Sequence, residues 1–546
     1  VDPRAVHVET ADADWIVTGL RPDRVARTID VKTRFDDVIQ CIRRQPGEFT
    51  VVAVDDDTVR AFRGLTSTYD VFLTRRPSDD AIVVGDHFGK VLAELPLQAR
   101  TVPEGTGVDH LLFGCRPNDT YVEEVDRLGH GQRIVWPRRG DPEISLVDTL
   151  SDSDRIEPSR AISRLDGYLD DATAFEDEGS VGTMLSGGVD SVLLHTYLAT
   201  DESTNAVIDS PEFAFEDEYA RKASELLGSD HTRIAMTEAD YLDHLEATVD
   251  ATAHPLLLPQ GALLNLAFRE SQHDVLVNGG LADGVFGTGI AALAYLARFL
   301  GPGGRFVPPV TDELDTIATT ATALRKSATD VDGTAMGFRI HADEETVASM
   351  YGREAIDDRK QRRFHYTQRR LPTTQQQGYG GHMHLGHCIE YFHDVILSNW
   401  RQGALASGTS LLTPFAGREV LETALAVPPT RRYARWTVPD RSRPSRVVAY
   451  KYLVKDLLSQ RLPAYDTNKP KGHGMLPFRR YLADGPLSNV FEEYAVPEFV
   501  PSEHRPAVRE GTSEISWYAA NFAIWRDRVL RNDNLCGPDP AVVLER

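Results

Sequence analysis

The stretch Thr183–His195 constrains the fold more than any other part of the chain. A short apolar run leads into Ser186–Gly188, and the residues from Val189 onward favour a helix. Two adjacent glycines allow a tight turn whose amide groups approach a ligand closely, because no β-carbon intervenes. The pattern therefore predicts a strand, a glycine loop and a helix N-terminus.

This loop has the composition of a phosphate-binding site. Its amides, the hydroxyls of Ser186 and Ser191 and the positive end of the helix dipole would cradle a phosphate chain. The spacing differs from that of a Walker loop, and no lysine follows the glycines. Asp190 would repel phosphate unless a divalent cation lay between them, so the stretch implies Mg²⁺ on a pyrophosphate. A plain glycine turn between a strand and a helix is the alternative.

The sequence SGGVDS at Ser186–Ser191 resembles the pyrophosphate-binding loop of the ATP-pyrophosphatase enzymes, usually SGGxDS. These enzymes cleave ATP between its α and β phosphates. The resemblance implies that Leu185, Val207 and Asn278 line the adenine side. The full nucleotide-binding set that we predict is Leu185, Ser186, Gly187, Gly188, Asp190, Ser191, Val207, Asn278 and Gly279.

The segment 275–289 resembles the second signature of the asparagine synthetase family, usually SGEGADELFGGY. A second glycine loop after an apolar strand would place Asp283 beside the first loop, where it completes a Mg²⁺ shell with Asp190. A glycine turn capped by aspartate is the alternative. Gly280 stands where the family has its first Glu. β-Lactam synthetases and lasso-peptide cyclases also depart from the asparagine pattern at this position, and the chain resembles them more closely. This departure argues against asparagine synthesis.

Lysine is rare in this chain, with nine among 59 basic residues, yet four lie between 451 and 471. The order of the residues in this region resembles that of the family's C-terminal motif, and Lys471 occupies the position of the lysine in that motif. A compact ammonium suits a single phosphate oxygen, so we predict that Lys471 neutralises charge on the α-phosphate, with Lys451 as a second candidate. A solvated basic loop is the alternative.

Residues 1–150 are rich in short strand-like runs, such as Phe49–Val54 and Val71–Thr74. This region weakly resembles the N-terminal glutaminase domain of asparagine synthetases, an α+β sandwich of the N-terminal-nucleophile type whose first residue is a catalytic Cys. Here the first residue is Val1, so we expect a degenerate domain without glutaminase activity.

Residues 151–546 form the predicted ATP-dependent synthetase domain. After the glycine loop, strand-like and helical segments alternate, and this alternation is typical of a doubly wound parallel sheet with ligands at the carboxyl ends of its strands. The predicted fold class is therefore α/β.

The formal net charge of −23 argues against nucleic-acid and anionic-membrane partners. An acidic, Arg-rich and Lys-poor composition is typical of proteins adapted to high salt. The four cysteines form no CxxC pair, and no apolar run of about 18 residues appears. We expect a cytoplasmic protein.

These features predict an ATP-dependent ligase that activates a small-molecule or peptide carboxylate as an acyl-adenylate for attack by an amine donor, with ATP and Mg²⁺ required. An ammonia-dependent asparagine synthetase and a catalytically silent scaffold of the same fold are the alternatives. The identity of the two substrates stays open, as does the choice between a monomer and a homodimer.

Overall fold

The computed structural model describes most of the chain. The described residues are 2–30, 33–114, 118–151, 154–174, 179–286, 342–371, 387–427, 434–436, 448–467, 469, 476–533, 535 and 542–544. Of the predicted site residues, Lys471 lies outside this part of the chain. None of the described helices combines the length and the apolar character needed to cross a bilayer.

The first 150 residues contribute to two antiparallel sheets. One has the strand order β1-β2-β3-β4-β8-β9, and the other has the order β17-β6-β5-β7. The strands are β1 (Val6–Glu9), β2 (Asp14–Gly19), β3 (Phe49–Val54), β4 (Thr58–Arg63), β5 (Phe72–Arg75), β6 (Ile82–Gly85), β7 (Asp126–Arg127), β8 (Gln132–Pro137), β9 (Glu143–Leu146) and β17 (Val542–Leu544).

Both sheets contribute to one buried apolar cluster, with Ala61 from β4, Leu73 from β5 and Ile134 from β8. The alternation of apolar and polar residues in these strands places one face of each sheet in the core. The strand-like runs Phe49–Val54 and Val71–Thr74 correspond to β3 and β5, so these predictions are confirmed. The sandwich arrangement and the domain boundary near residue 150 stay predictions.

The centre of the chain forms a five-stranded sheet in the order β12-β11-β10-β13-β14, and every neighbouring pair is parallel. The mixed α/β class is therefore as predicted, whereas the doubly wound arrangement stays a prediction. Chain order reverses direction between β10 and β13, which is where open parallel sheets bind ligands. The strands are β10 (Val181–Met184), β11 (Glu202–Ile208), β12 (Asp230–Met236), β13 (Val275–Val277) and β14 (Ser410–Leu412); β15 (Ala434–Trp436) and β16 (Val448–Tyr450) form a separate antiparallel pair.

Helices connect and cover these sheets. Two π-helical segments, His387–Leu397 and Arg526–Leu530, adjoin helices α13 (Ser398–Ala406) and α19 (Ser516–Trp525). The helices are α1 (Pro22–Ala26), α2 (Phe35–Ile42), α3 (Phe88–Ala93), α4 (Thr106–Leu112), α5 (Pro158–Ala172), α6 (Val189–His195), α7 (Ala214–Leu227), α8 (Tyr241–Thr252), α9 (Gln260–Glu270), α10 (Ala282–Phe286), α11 (Glu344–Tyr351), α12 (Arg353–Gln368), α13 (Ser398–Ala406), α14 (Arg418–Ala426), α15 (Tyr452–Arg461), α16 (Phe478–Ala483), α17 (Val490–Glu493), α18 (Arg505–Arg509) and α19 (Ser516–Trp525).

Helix α19 is buried on every side, with all ten of its residues buried. The indole nitrogens of Trp517 and Trp525 donate to the carbonyl oxygens of Leu257 and Ala253, at 2.9 and 2.8 Å. A helix that is apolar on every side can be buried on every side when its polar atoms find partners.

Candidate functional site

The predicted glycine loop connects β10 to α6, at the carboxyl edge of the parallel sheet. Gly187 lies in the left-handed region with φ of +68°, and a β-carbon there would lie 2.2 Å from the carbonyl oxygen of Tyr219. Glycine is therefore required for both conformation and space at this position. The predicted strand, loop and helix are confirmed.

Two hydroxyl groups hold the loop in shape. Ser186 Oγ lies 3.2 Å from Ser191 Oγ and accepts a hydrogen bond from the Gly188 amide at 3.3 Å. Ser191 Oγ donates to the Gly188 carbonyl oxygen at 3.2 Å. These bonds organise the turn and bring both predicted hydroxyls to it.

The second glycine loop follows β13, the neighbour of β10 in the sheet. A β-carbon at Gly279 would lie 2.8 Å from Asp190 Cβ and 2.9 Å from the Ser191 amide nitrogen. The two loops therefore touch, and the absence of a side chain at Gly279 permits this contact. Helix α10 begins just after this loop and carries Asp283.

Lys451 joins the two loops. Its ammonium donates to the carboxylate of Asp190 and, at 2.6 Å, to Oδ1 of Asp283. The lysine is buried, with 7% of its surface exposed, and its backbone is left-handed, with φ of +55°. Burial alone would lower the pKa of Lys451, but the charges of Asp190 and Asp283 more than offset it, and the pKa is raised. The structure thus brings three of the predicted residues together, with two carboxylates on the ammonium of the third.

Tyr465 and Lys469 contact the first loop from the segment after α15. Tyr465 Oη and Lys469 Nζ both donate to the carbonyl oxygen of Gly187, at 2.6 and 2.5 Å. Lys469 Nζ also lies 4.3 Å from the ring centre of Tyr219, and burial lowers its pKa. Sequence reasoning missed Tyr465, since nothing local marks it, whereas the rarity of lysine already pointed to the region of Lys469.

The remaining predicted nucleotide residues lie at the carboxyl ends of three adjacent strands. Leu185 follows β10 and is buried, Val207 is near the end of β11 and Asn278 follows β13. The structure brings them to the same edge of the sheet as the glycine loop. Their contacts with adenine stay predictions.

Helix α13 borders the site and is fixed by residues from the first 150. Arg401 donates to Glu48 Oε1 at 3.0 Å, and Gln402 Nε2 donates to the Asp86 carbonyl oxygen at 2.8 Å. Burial raises the pKa of Glu48 although the charge of Arg401 opposes this shift. The N-terminal region therefore holds one wall of the site in position.

The donor set at Asp190 and Asp283 fits Mg²⁺ bound together with phosphate. Mg²⁺ in nucleotide sites takes one or two carboxylates, with phosphate oxygens and waters completing its shell. Within the described ranges, no three His, Cys, Asp or Glu side chains cluster as a self-sufficient metal site. Because these two carboxylates already converge on the ammonium of Lys451, they also have the charge and geometry to bind Mg²⁺.

An α/β fold with a phosphate-type loop, a carboxylate pair and a buried lysine at a sheet switch point defines a nucleotide-dependent enzyme. Residues 164–514, well over half of the chain, match the asparagine synthase family, described as "Asparagine synthase". The chain belongs to this family, and it is an ATP-dependent ligase of the kind that forms amide bonds. No curated protein matches the chain significantly.

Proposed function

We propose that this protein activates a substrate carboxylate as an acyl-adenylate and passes the acyl group to an amine or to ammonia. The observation that carries the proposal is the convergence of Asp190, Asp283 and Lys451 beside the Ser186–Ser191 loop. A silent scaffold would have no need for two carboxylates and a buried lysine at the edge of the sheet.

In the first step a carboxylate oxygen attacks the α-phosphorus of ATP, and the bond to the bridging oxygen of pyrophosphate breaks. The loop hydroxyls and amides of Ser186, Gly188 and Ser191 bind the departing pyrophosphate. Mg²⁺ held by Asp190 and Asp283 would neutralise the phosphate charge. In the second step the amine attacks the acyl carbon, AMP leaves with the bonding electron pair, and the amine proton passes to solvent.

The three lysines have different electrostatic roles in this proposal. Lys451 keeps Asp190 and Asp283 close together, since its ammonium bridges them. Lys469 and Tyr465 fix the carbonyl of Gly187 and so fix the loop. Lys471 would place a compact ammonium on the α-phosphate as charge develops there.

The proposal includes the absence of glutaminase activity. Cys41 lies on helix α2, where its sulfur is 3.8 Å from Gln45 Nε2, an amide that cannot act as a base. The Gln45 amide therefore does not activate Cys41 as a nucleophile.

The composition supports adaptation to high salt as a further part of the proposal. The chain has 82 acidic residues against 59 basic ones, and its lysines include the buried Lys451 and Lys360. Carboxylates repel one another less when salt screens them. The thermal midpoint should rise from dilute to multimolar KCl, and a fall would contradict this adaptation.

The test is pyrophosphate release from ATP by the purified chain, measured against a panel of carboxylates with and without ammonia or amines. Release that depends on one acid other than aspartate and on an amine or ammonia supports the proposal. Release with aspartate and ammonia alone supports the asparagine synthetase alternative. ATP binding without release under any condition supports the scaffold.

A further inference from the structure

Two buried polar groups beside the carboxylate pair lack hydrogen-bond partners among the described residues. They are Asn278 Nδ2 and Thr413 Oγ1, on residues that are 5% and 1% exposed. A buried donor without a partner is costly, so such groups usually bind a ligand or an ordered water. Both groups stand at the carboxyl edge of the parallel sheet.

The backbone places these two residues side by side. Val277 pairs with Leu412 in the register of β13 and β14, and the amide of Asn278 donates to the Leu412 carbonyl oxygen at 2.9 Å. Asn278 and Thr413 are the next residues of the two strands. The Gly280 amide donates to Asn278 Oδ1 at 2.7 Å, which leaves the NH₂ group as the free donor.

The side chains next to these donors include a leucine and a tryptophan. A β-carbon at Gly280 would lie 2.7 Å from Asn278 Oδ1, 2.8 Å from Leu397 Cδ2 and 3.5 Å from Trp400 Cζ3. Leu397 is buried, and Trp400 is partly buried against a neighbouring apolar cluster. The position where the related signature carries a Glu therefore faces the Asn278 side-chain carbonyl oxygen, a leucine and an indole ring, and a carboxylate there would lose its hydration.

We propose that Asn278 Nδ2 and Thr413 Oγ1 bind the reacting carboxyl group of an acid whose remaining part is apolar and lies against Trp400 and Leu397. This inference rests on the proposed function and names its substrate class. The uncharged NH₂ and hydroxyl groups bind the carboxylate without burying a further cation. The neighbouring indole ring then accepts an aliphatic or aromatic body.

The same surroundings disfavour a dicarboxylic amino acid. Its second carboxylate would need a cation, and none of Asn278, Gly280, Leu397, Trp400 and Thr413 supplies one. Lys451 is bound to Asp190 and Asp283 instead. Burying an unpaired carboxylate should weaken binding by a factor on the order of 10².

The experiment uses the full chain with 4-methylpentanoate and 3-phenylpropanoate as apolar probes and with aspartate and glutamate as polar ones. Binding of each acid is measured by calorimetry without turnover, and KM values for acid and ATP are measured by pyrophosphate release. Thr413→Val removes the hydroxyl at constant shape, and Thr423→Val, at a buried position on α14, is the matched control. Asn278→Asp keeps the acceptor for Gly280 but removes the donor.

We expect the apolar acids to bind in preference to aspartate and glutamate. Thr413→Val should weaken their binding about tenfold and leave ATP affinity unchanged, Asn278→Asp should weaken it about a hundredfold, and the Thr423→Val control should change neither affinity. Trp400→Ala should weaken 3-phenylpropanoate about tenfold.

Three results would overturn the inference. Pyrophosphate release with aspartate in preference to the apolar acids would be compatible with acyl-adenylate formation but would contradict the inferred substrate class. If Asn278→Asp changed the affinity for ATP rather than the affinity for the acid, Asn278 would contact the adenine and not the carboxyl group. Acid binding unaffected by either variant would mean that only water occupies the two donors. Conversely, acid binding that depends on Asn278 without any pyrophosphate release would support the inference and contradict the proposed function.

Discussion

The ammonium of Lys451 lies 2.6 Å from Oδ1 of Asp283, although 168 residues separate them in the chain. The same ammonium reaches Asp190, which is 261 residues away. Three segments from distant parts of the sequence therefore meet at one charged group. This contact turns two separate glycine motifs into one site.

Asp190→Asn and Asp283→Asn should each lower Mg²⁺-dependent ATP cleavage by about 10²-fold or more, because each removes one carboxylate from a shared cation. Circular dichroism should show an intact fold. The double variant should lose little more than either single one, since the site is already broken. A double variant with fully additive losses would show that the two carboxylates act independently.

Lys451→Met should raise the affinity of the free protein for Mn²⁺ about tenfold, because the ammonium competes with the metal for Asp190 and Asp283. Calorimetry in the absence of ATP measures this effect directly. Lys455→Met, one turn further along α15, is the control and should leave the affinity unchanged. Equal Mn²⁺ affinity in the wild-type protein and Lys451→Met would contradict the competition.

Gly187→Ala should destabilise the protein more than Gly228→Ala does. Both glycines have nearly the same left-handed φ, +68° and +69°, so both variants carry a backbone cost of about 1–2 kcal/mol. Only at Gly187 would the new β-carbon meet backbone, at Tyr219, because nothing lies within 4 Å at Gly228. Urea unfolding measures the difference, and equal losses would mean that the loop can shift freely.

Lys471→Ala should lower turnover by a factor of about 10²–10³ with little change in ATP affinity, if its ammonium acts on charge that develops during adenylation. Lys471→Arg should not restore activity, because a planar guanidinium replaces a compact ammonium poorly. Lys469→Arg should be tolerated, since a guanidinium can also donate to the Gly187 carbonyl. Identical behaviour of the two lysines would reduce the segment to a general basic patch.

Glu419 should make stability fall as pH rises. Burial raises its pKa from 4.5 to about 7, and its carboxyl accepts a hydrogen bond from the Gly47 amide at 3.0 Å. The folded protein therefore retains a proton that the unfolded chain loses, so this contribution is present below about pH 4.5 and disappears through about pH 7. Glu419→Gln should reduce the stability difference between about pH 5 and about pH 8 by about 2–3 kcal/mol, measured by urea unfolding. An unchanged pH dependence would show that Glu419 does not titrate in this range.

The sequence by itself determined the local architecture of the site. Paired glycines after an apolar run specify a strand, a tight loop and a helix, because only glycine permits the left-handed turn at Gly187. The same reasoning located the second loop and Asp283, and the strand-like runs at β3 and β5. These features depend on residues that are neighbours in the chain, so they can be predicted from the sequence alone.

Only the tertiary structure decided which distant groups meet. The order of the parallel strands sets β13 beside β10 and β14 beside β13, which brings Asp283 to Asp190 and Thr413 to Asn278. The contact of Tyr465 with Gly187 likewise has no local signature. Packing between segments that lie far apart in the chain fixes these contacts. Neither periodicity nor motif spacing in the sequence predicts which of these segments pack together.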